Sequence, residues 1–244
     1  YQVIENAINA GIEKMILPGI NSSYTDIQLQ TCESFPENCF PAAGLHPSDV
    51  KENFEDELSA VNSELKTGKY IAVGEIGIDL YWDKTFINEQ QLAFEKQINL
   101  AKEYKLPVII HVRDSFDEIF EITDAANDEN LKGIFHSFTG TTKQAEKIIA
   151  YGGFKIGING IVTFKNSGLD KIVKEIDIEH LVLETDSPYL SPVPKRGKRN
   201  ESSHLVYIAE KISKIKNISS EVLAEASNSN AIEIFGKKII ISKN

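Results

Sequence analysis

Seven short apolar runs punctuate the chain: Lys14-Met-Ile-Leu-Pro-Gly19, Phe40-Pro-Ala-Ala-Gly44, Tyr70-Ile-Ala-Val-Gly74, Pro107-Val-Ile-Ile110, Lys132-Gly-Ile-Phe135, Phe154-Lys-Ile-Gly-Ile158 and His180-Leu-Val-Leu183. They are too short for helices and carry the Val, Ile, Leu and Phe content of strands covered on both faces. Their starts lie about 22 to 37 residues apart, close to the length of one strand-plus-helix unit. Between them the apolar positions switch to helical spacing, predicting helices over 56–65, 88–104, 142–151 and 169–176, then 203–216 and 219–235. Ser115 with Glu118, and Thr141 with Gln144, have capping-box spacing at two further helix starts.

This alternation predicts an α/β fold with a parallel sheet in one domain over 1–244. The chain opens in a helical pattern (Val3, Ile4, Ala7, Ile8), so a first strand upstream of Tyr1 would bring the strand count to that of a TIM-type (β/α)8 barrel, with its first strand absent from this chain and the domain N-terminally incomplete. An open doubly wound sheet is the alternative, since it needs no further strand.

The net charge of −10 argues against a protein that coats nucleic acid through a broad positive field. It leaves room for an enzyme that grips a few phosphates locally, because divalent ions in an acidic site bring their own positive charge. No apolar stretch has membrane-spanning length and no signal-peptide pattern opens the chain, which points to the cytoplasm and away from a membrane. Cys32 and Cys39 form no disulfide framework and read as two thiols in a reducing compartment.

Chemistry enters where the runs end. Glu75, His111, His136 and Asp186 each follow an apolar run and each open a loop. In a parallel barrel the carboxyl ends of the strands share one face, so these four metal-ligand side chains converge there. Taken singly, each has an ordinary reading: a buried His is commonly hydrogen-bonded core, and a strand-end carboxylate is often a helix N-cap. As a set at equivalent positions they indicate a metal-dependent hydrolase.

Several blocks carry a more specific message: Gly44-Leu-His-Pro47, Gly74-Glu-Ile-Gly-Ile-Asp79, His111-Val-Arg113, His136-Ser-Phe-Thr-Gly140, Gly160-Ile-Val-Thr-Phe164, Glu184-Thr-Asp-Ser-Pro-Tyr-Leu190, Arg196-Gly-Lys-Arg-Asn200 and Asn230-Ala231 to Phe235. In this order, over nearly the whole chain, they resemble the TatD family of metal-dependent deoxyribonucleases in the amidohydrolase-like superfamily. The resemblance implies cleavage of DNA phosphodiesters from single-stranded ends by two divalent ions (zinc, magnesium or manganese). It implies that Glu75 bridges the ions, that His111 and His136 hold one, and that Asp186 holds the other and takes a proton from the attacking water. The family's His-x-His pair at the first strand is not in this chain. It lies upstream, or this form binds one ion and is a weakened or non-catalytic barrel. Ser202 stands where the family usually has proline, a difference of loop stiffness.

His46 resembles an active-face histidine of the family and is a candidate for contacting phosphate or moving a proton, or simply for fixing the loop before Pro47. Arg113 is a candidate to pair with phosphate or to hold a carboxylate ligand. Tyr81 and Trp82 follow the Glu75 strand, placed to stack on a base or to wall the pocket. Lys195, Arg196, Lys198 and Arg199 follow the Asp186 strand and read as a phosphate grip or a solvated loop. His180 begins its strand and is expected on the opposite face; His204 matches no ligand motif. Another ester or amide as substrate is the alternative enzyme reading, and a monomer is favoured.

Overall fold

In the computed structural model, which describes residues 1–239, all seven apolar runs form strands: β1 (Met15–Leu17), β2 (Cys39–Ala43), β3 (Ala72–Asp79), β4 (Val108–Arg113), β5 (Gly133–Phe135), β6 (Phe154–Ile158) and β7 (Leu181–Leu183). They pair in chain order, all parallel, as one sheet that curls into an α/β TIM-type half-barrel. Nine helices flank it among the described residues: α1 (Gln2–Asn9), α2 (Thr25–Ser34), α3 (Phe54–Lys66), α4 (Ile87–Tyr104), α5 (Phe116–Ala126), α6 (Thr142–Ala150), α7 (Leu169–Glu175), α8 (Leu205–Lys216) and α9 (Ser220–Phe235). None is long and apolar enough to cross a membrane among the described residues.

Side-chain alternation along the strands separates two cores. Ala43, Val73, Ile110, Phe135, Ile156 and Leu181 point outward and pack against the helices. Their neighbours Ala42, Ala72, Ile109, Ile134 and Val182 point inward, where Ile234 and Phe235 of α9 and Ile239 close the amino-terminal end of the barrel. Lys155 of β6 shares that inward register; buried, it is neutralised by Glu233 of α9 at 2.8 Å. The bottom is therefore plugged. Inward positions nearer the carboxyl ends are polar, and these are His111, His136 and Glu184.

Three local expectations need correction. Helix α2 was not anticipated, because only Cys32 of its length is buried. It docks through Gln28, whose side-chain amide donates to Leu17 O and Ala42 O at 2.8 and 2.9 Å, instead of through an apolar stripe. Ser115 does not cap α5; its hydroxyl donates to Ile78 O at 2.6 Å and ties the helix start to β3. Thr141 and Gln144 do form a capping box on α6. Finally, Glu75 and His111 lie within β3 and β4, not at their ends.

The cysteines are buried in a small cluster with Ala7 and Met15. Burial pushes the Cys32 thiol to about 12 and the Cys39 thiol to about 11, so both behave as apolar fillers. His180 ends a short turn ahead of β7, 3.5 Å from Glu179 and at the opposite end of that strand from Glu184.

Candidate metal centre

Glu75 owes its direction to an irregularity. Between Val73↔Val108 and Ile76↔Ile110, β3 advances three residues while β4 advances two. This bulge inserts one residue and resets the alternation, so Val73 and Ile76 both face the helices. Glu75 is thereby aimed inward. Its Oε1 lies 2.8 Å from His111 Nδ1, 2.7 Å from His136 Nε2 and 3.3 Å from His46 Nε2. Beyond it, Gly77 (φ +144°) lets the strand press on β4, since a Cβ there would meet His111 O at 2.1 Å.

Each imidazole is oriented through its other nitrogen, and the partners decide what the facing nitrogen can do. His111 Nε2 lies 3.0 Å from Asp79 Oδ2, and His136 Nδ1 lies 3.5 Å from Glu184 Oε2. Both nitrogens of each ring thus face carboxylates, and each carboxylate requires a hydrogen from the ring; a ring that gives up its inner hydrogen to a metal would keep the outer one on Asp79 or Glu184 and turn the lone pair of His111 Nδ1 or His136 Nε2 to the centre. His46 differs. Its Nδ1 accepts the Ser48 N–H at 3.1 Å, so Nε2 carries the hydrogen and donates toward Glu75. The facing atoms of His46, Glu75 and His111 are close enough to surround one ion, but this bonding makes His46 a donor and not a ligand. Glu75, His111 and His136 fit a divalent ion: one carboxylate and two outward lone pairs, each held by a second partner.

The electrostatics follow from this crowding. Burial opposes ionisation of Glu75, yet the His136 charge and the hydrogen bonds from His111, His136 and His46 hold it well below the usual carboxylate range. Burial likewise disfavours the His136 imidazolium, but Glu75 and Glu184 raise it well above the ordinary histidine value. His111 is raised, with burial overcome by Asp79 and Glu75. Asp79 is lowered, its burial outweighed by His111 and by backbone donors that include Tyr81.

Asp186 lies near this group without touching it. Its carboxylate has no hydrogen bond among the described residues, and burial pushes it up to about 6, opposed by His136 and reinforced by Glu75 and Glu184. Asp186 adopts φ +56°, as Ser137 (+50°) does after β5 and Asp114 (+54°) after β4. Left-handed backbone at non-glycine residues costs on the order of 1–3 kcal/mol each and persists where the surroundings fix it. The fixing groups are visible: Ser137 N–H donates to Glu184, and its hydroxyl accepts from Asn159 at 2.6 Å. Buried Asn200 donates to Thr185 O and Tyr189 O, at 2.7 and 2.6 Å, on either side of Asp186.

Glu184 and Asp79 are the functional residues that the sequence reading passed over, although both fall inside the quoted blocks. Glu184 takes this position against Gly157; a Cβ there would meet its Oε2 at 2.6 Å and push the carboxylate aside. Arg113 pairs with no ligand carboxylate among the described residues; its guanidinium lies 4.0 Å from the Tyr81 ring and 5.4 Å from Trp82. Tyr81 and Trp82 are exposed, and Trp82 lines one side of an open cavity beside Asp79. Asn200 anchors the basic run to the Asp186 loop; within it Arg196 lies 3.8 Å over Phe164 and Lys195 5.7 Å from Tyr207, while Lys198 and Arg199 are exposed. His204 Nδ1 bonds Asn200 Oδ1 at 3.0 Å, supporting that anchor from behind.

With this geometry in place, comparison with known proteins is specific. The family described as TatD related DNase matches residues 1–236. An uncharacterized metal-dependent hydrolase of Bacillus subtilis is 36% identical over 235 residues, covering 96% of this chain and 91% of that protein. The 3'-5' ssDNA/RNA exonuclease TatD of Citrobacter rodentium is 32% identical over 241 residues, again 96% and 91%. The crystal structure of a TatD homologue of Escherichia coli K12 superposes with TM-score 0.90 at 27% identity, covering 96% of this chain and 90% of that one.

Proposed function

The chain belongs to the TatD-related DNase family of metal-dependent hydrolases, enzymes acting on ester bonds, and from that premise we propose that it hydrolyses DNA phosphodiesters, working from single-stranded ends. The observation that carries the reading is the meeting of Glu75 with two imidazoles, each held on its far side by a second carboxylate, Asp79 or Glu184. The exonuclease relative's action on single-stranded DNA and RNA supports the substrate class.

In this reading His111 and His136 would hold one divalent ion and Asp186 the other, with Glu75 available to both. When bound, the metal supplies Lewis-acid polarisation of the phosphate and eases deprotonation of water. Asp186, whose carboxylate makes no hydrogen bond among the described residues, accepts a proton from water as the water attacks phosphorus. The phosphorus–oxygen bond to the sugar then breaks, and the departing oxygen takes up a proton. The proton for the departing oxygen is the one Asp186 took from water, while His46, with its hydrogen on Nε2, offers a hydrogen bond that a phosphate oxygen could take over from Glu75. Lys195, Arg196, Lys198 and Arg199 grip the backbone from the loop tied to Asp186.

The test uses protein expressed from its full coding sequence and a labelled single-stranded oligonucleotide. A chelator should abolish cleavage and a divalent ion restore it. Glu75→Ala should cost more than the roughly 10- to 100-fold loss typical of outer partners, because it removes a ligand outright. Cleavage by Glu75→Ala at the wild-type rate would overturn the proposal.

A further inference from the structure

Beside the metal centre, the Pro47–Asp49 turn and the loop from Tyr81 to Phe86 border an open cavity of about 140 Å³. Two aromatic rings and a proline form its apolar wall (Trp82, Phe86 and Pro47), and Lys51 lies over the Phe86 ring at 5.2 Å. Asp79 and the His46 turn border it, so it opens next to the centre itself. We propose that this cavity is a base subsite that takes one unpaired pyrimidine of the nucleic-acid strand, stacked on Trp82. The inference rests on the nuclease reading and deepens it by naming what the strand end must present.

Several independent features support a base here. Trp82 is 73% exposed and Tyr81 53%, a costly way to display two large rings unless something covers them. They are not loose. The rings meet edge to face at 4.8 Å and 89°, and Arg113 covers Tyr81 at 4.0 Å. Trp82 lines the cavity, so a base entering it meets the exposed indole, with Arg113 5.4 Å over that ring and Lys51 on the cavity wall facing Asp83 at 3.8 Å. Stacking of this kind needs a base released from its partner strand, which gives selection for single strands a physical origin.

The size and polarity select the ring. A closed cavity of about 150 Å³ holds one benzene molecule, so a six-membered ring matches the 140 Å³ here, whereas a purine extends past the open mouth and is covered less completely. Buried Gln90 lines the cavity and spends its side-chain oxygen on the Asp79 N–H at 2.9 Å. That bond fixes the amide orientation, and its NH₂ group has no hydrogen-bond partner among the described residues. It is a donor suited to a pyrimidine carbonyl.

Trp82 is the sole tryptophan of the sequence, so its emission reports occupancy without any turnover. In the presence of a chelator, wild-type protein is titrated with tetranucleotides of dT, of dA and of abasic residues. Quenching should occur at the lowest concentration with dT, at higher concentration with dA, and not with the abasic strand. In metal-loaded protein, Trp82→Ala should lower kcat/KM on the dT strand by roughly 5- to 160-fold, the range of base–aromatic stacking, and barely affect the abasic strand. Trp82→Phe, keeping a ring, should recover most of the loss. Quenching without any cleavage would sink the nuclease reading and leave the subsite standing. Cleavage with no quenching, equal quenching by dA and dT, or equal loss on base-bearing and abasic strands would overturn the subsite.

Discussion

Asp79→Asn changes one atom and hardly any volume, yet the bonding around it predicts a disproportionate effect on the metal centre. Asp79 Oδ1 accepts the Tyr81 N–H at 3.0 Å, and Oδ2 faces His111 Nε2 at 3.0 Å. An asparagine must keep its oxygen on the Tyr81 N–H, so its NH₂ group faces His111. Two donors cannot share that contact, and His111 is driven to the tautomer with the hydrogen on Nδ1. That nitrogen, 2.8 Å from Glu75 Oε1, then has no lone pair for a metal. Loss of an outer partner of a ligand histidine usually costs 10- to 100-fold in affinity. At ~1.4 kcal/mol per tenfold, that is about 1.4–2.8 kcal/mol.

The assay is competition for zinc between the protein and a chelating dye, read beside the cleavage rate. Asp79→Ala supplies the control, because it removes the same charge without imposing a donor on Nε2. If the tautomer argument holds, the asparagine variant binds metal more weakly than the alanine variant. Were the two equal, charge alone would account for the effect. A normally folded Asp79→Asn protein with wild-type affinity would refute the reasoning altogether.

Other consequences follow from the same bonding. The raised His111 and His136 must shed protons to ligate, so metal loading should release protons and tighten with rising pH; a calorimetric enthalpy independent of buffer ionisation heat would contradict this. In metal-stripped protein, the stability from raised His136 is complete below the ordinary 6.5 and fades as pH rises through its higher folded value. That from lowered Glu75 is complete above the ordinary 4.5 and fades as pH falls through its depressed value, so the thermal midpoint should peak between these ordinary values. Replacing Lys195, Arg196, Lys198 and Arg199 by Gln should raise KM for DNA and flatten its salt dependence by about 0.7 in logarithmic slope for each phosphate the loop no longer neutralises, and an unchanged slope would return the loop to solvent. Ile234→Ala, opening the barrel plug, should cost ~2–5 kcal/mol in denaturant unfolding.

The strand-and-helix rhythm was legible because each strand is covered on both faces, and such strands announce themselves as unbroken apolar runs. Helix α2 was not, since hydrogen bonds from Gln28 hold it where periodicity looks for an apolar stripe. Ser115 illustrates the same limit from the other side. Its spacing to Glu118 is that of a cap, but the nearby Ile78 carbonyl competes for the hydroxyl and wins. Local sequence specifies which bonds a side chain is able to make; tertiary neighbours decide which of them it does make.

At the metal centre the difficulty is one of parity. Counting strictly from outward-facing Val73 puts Gly74 inward and Glu75 outward among the helices, where a carboxylate has no partner. The added residue of the bulge reverses this, and no residue type in the run announces it. Once Glu75 is inward, however, the count becomes informative again: Gly77 and Asp79 follow on the inner side, as Glu184 follows Val182. The glycines then gain a meaning. Gly77 and Gly157 stand where a β-carbon would strike the His111 carbonyl or the Glu184 carboxylate. The outer carboxylates were thus available as acidic residues on ligand-bearing strands, in register with a glycine on the same or the adjacent strand. Single residues at strand ends do not carry that signal. It lies in the pairing between strands, and pairing is what the fold adds.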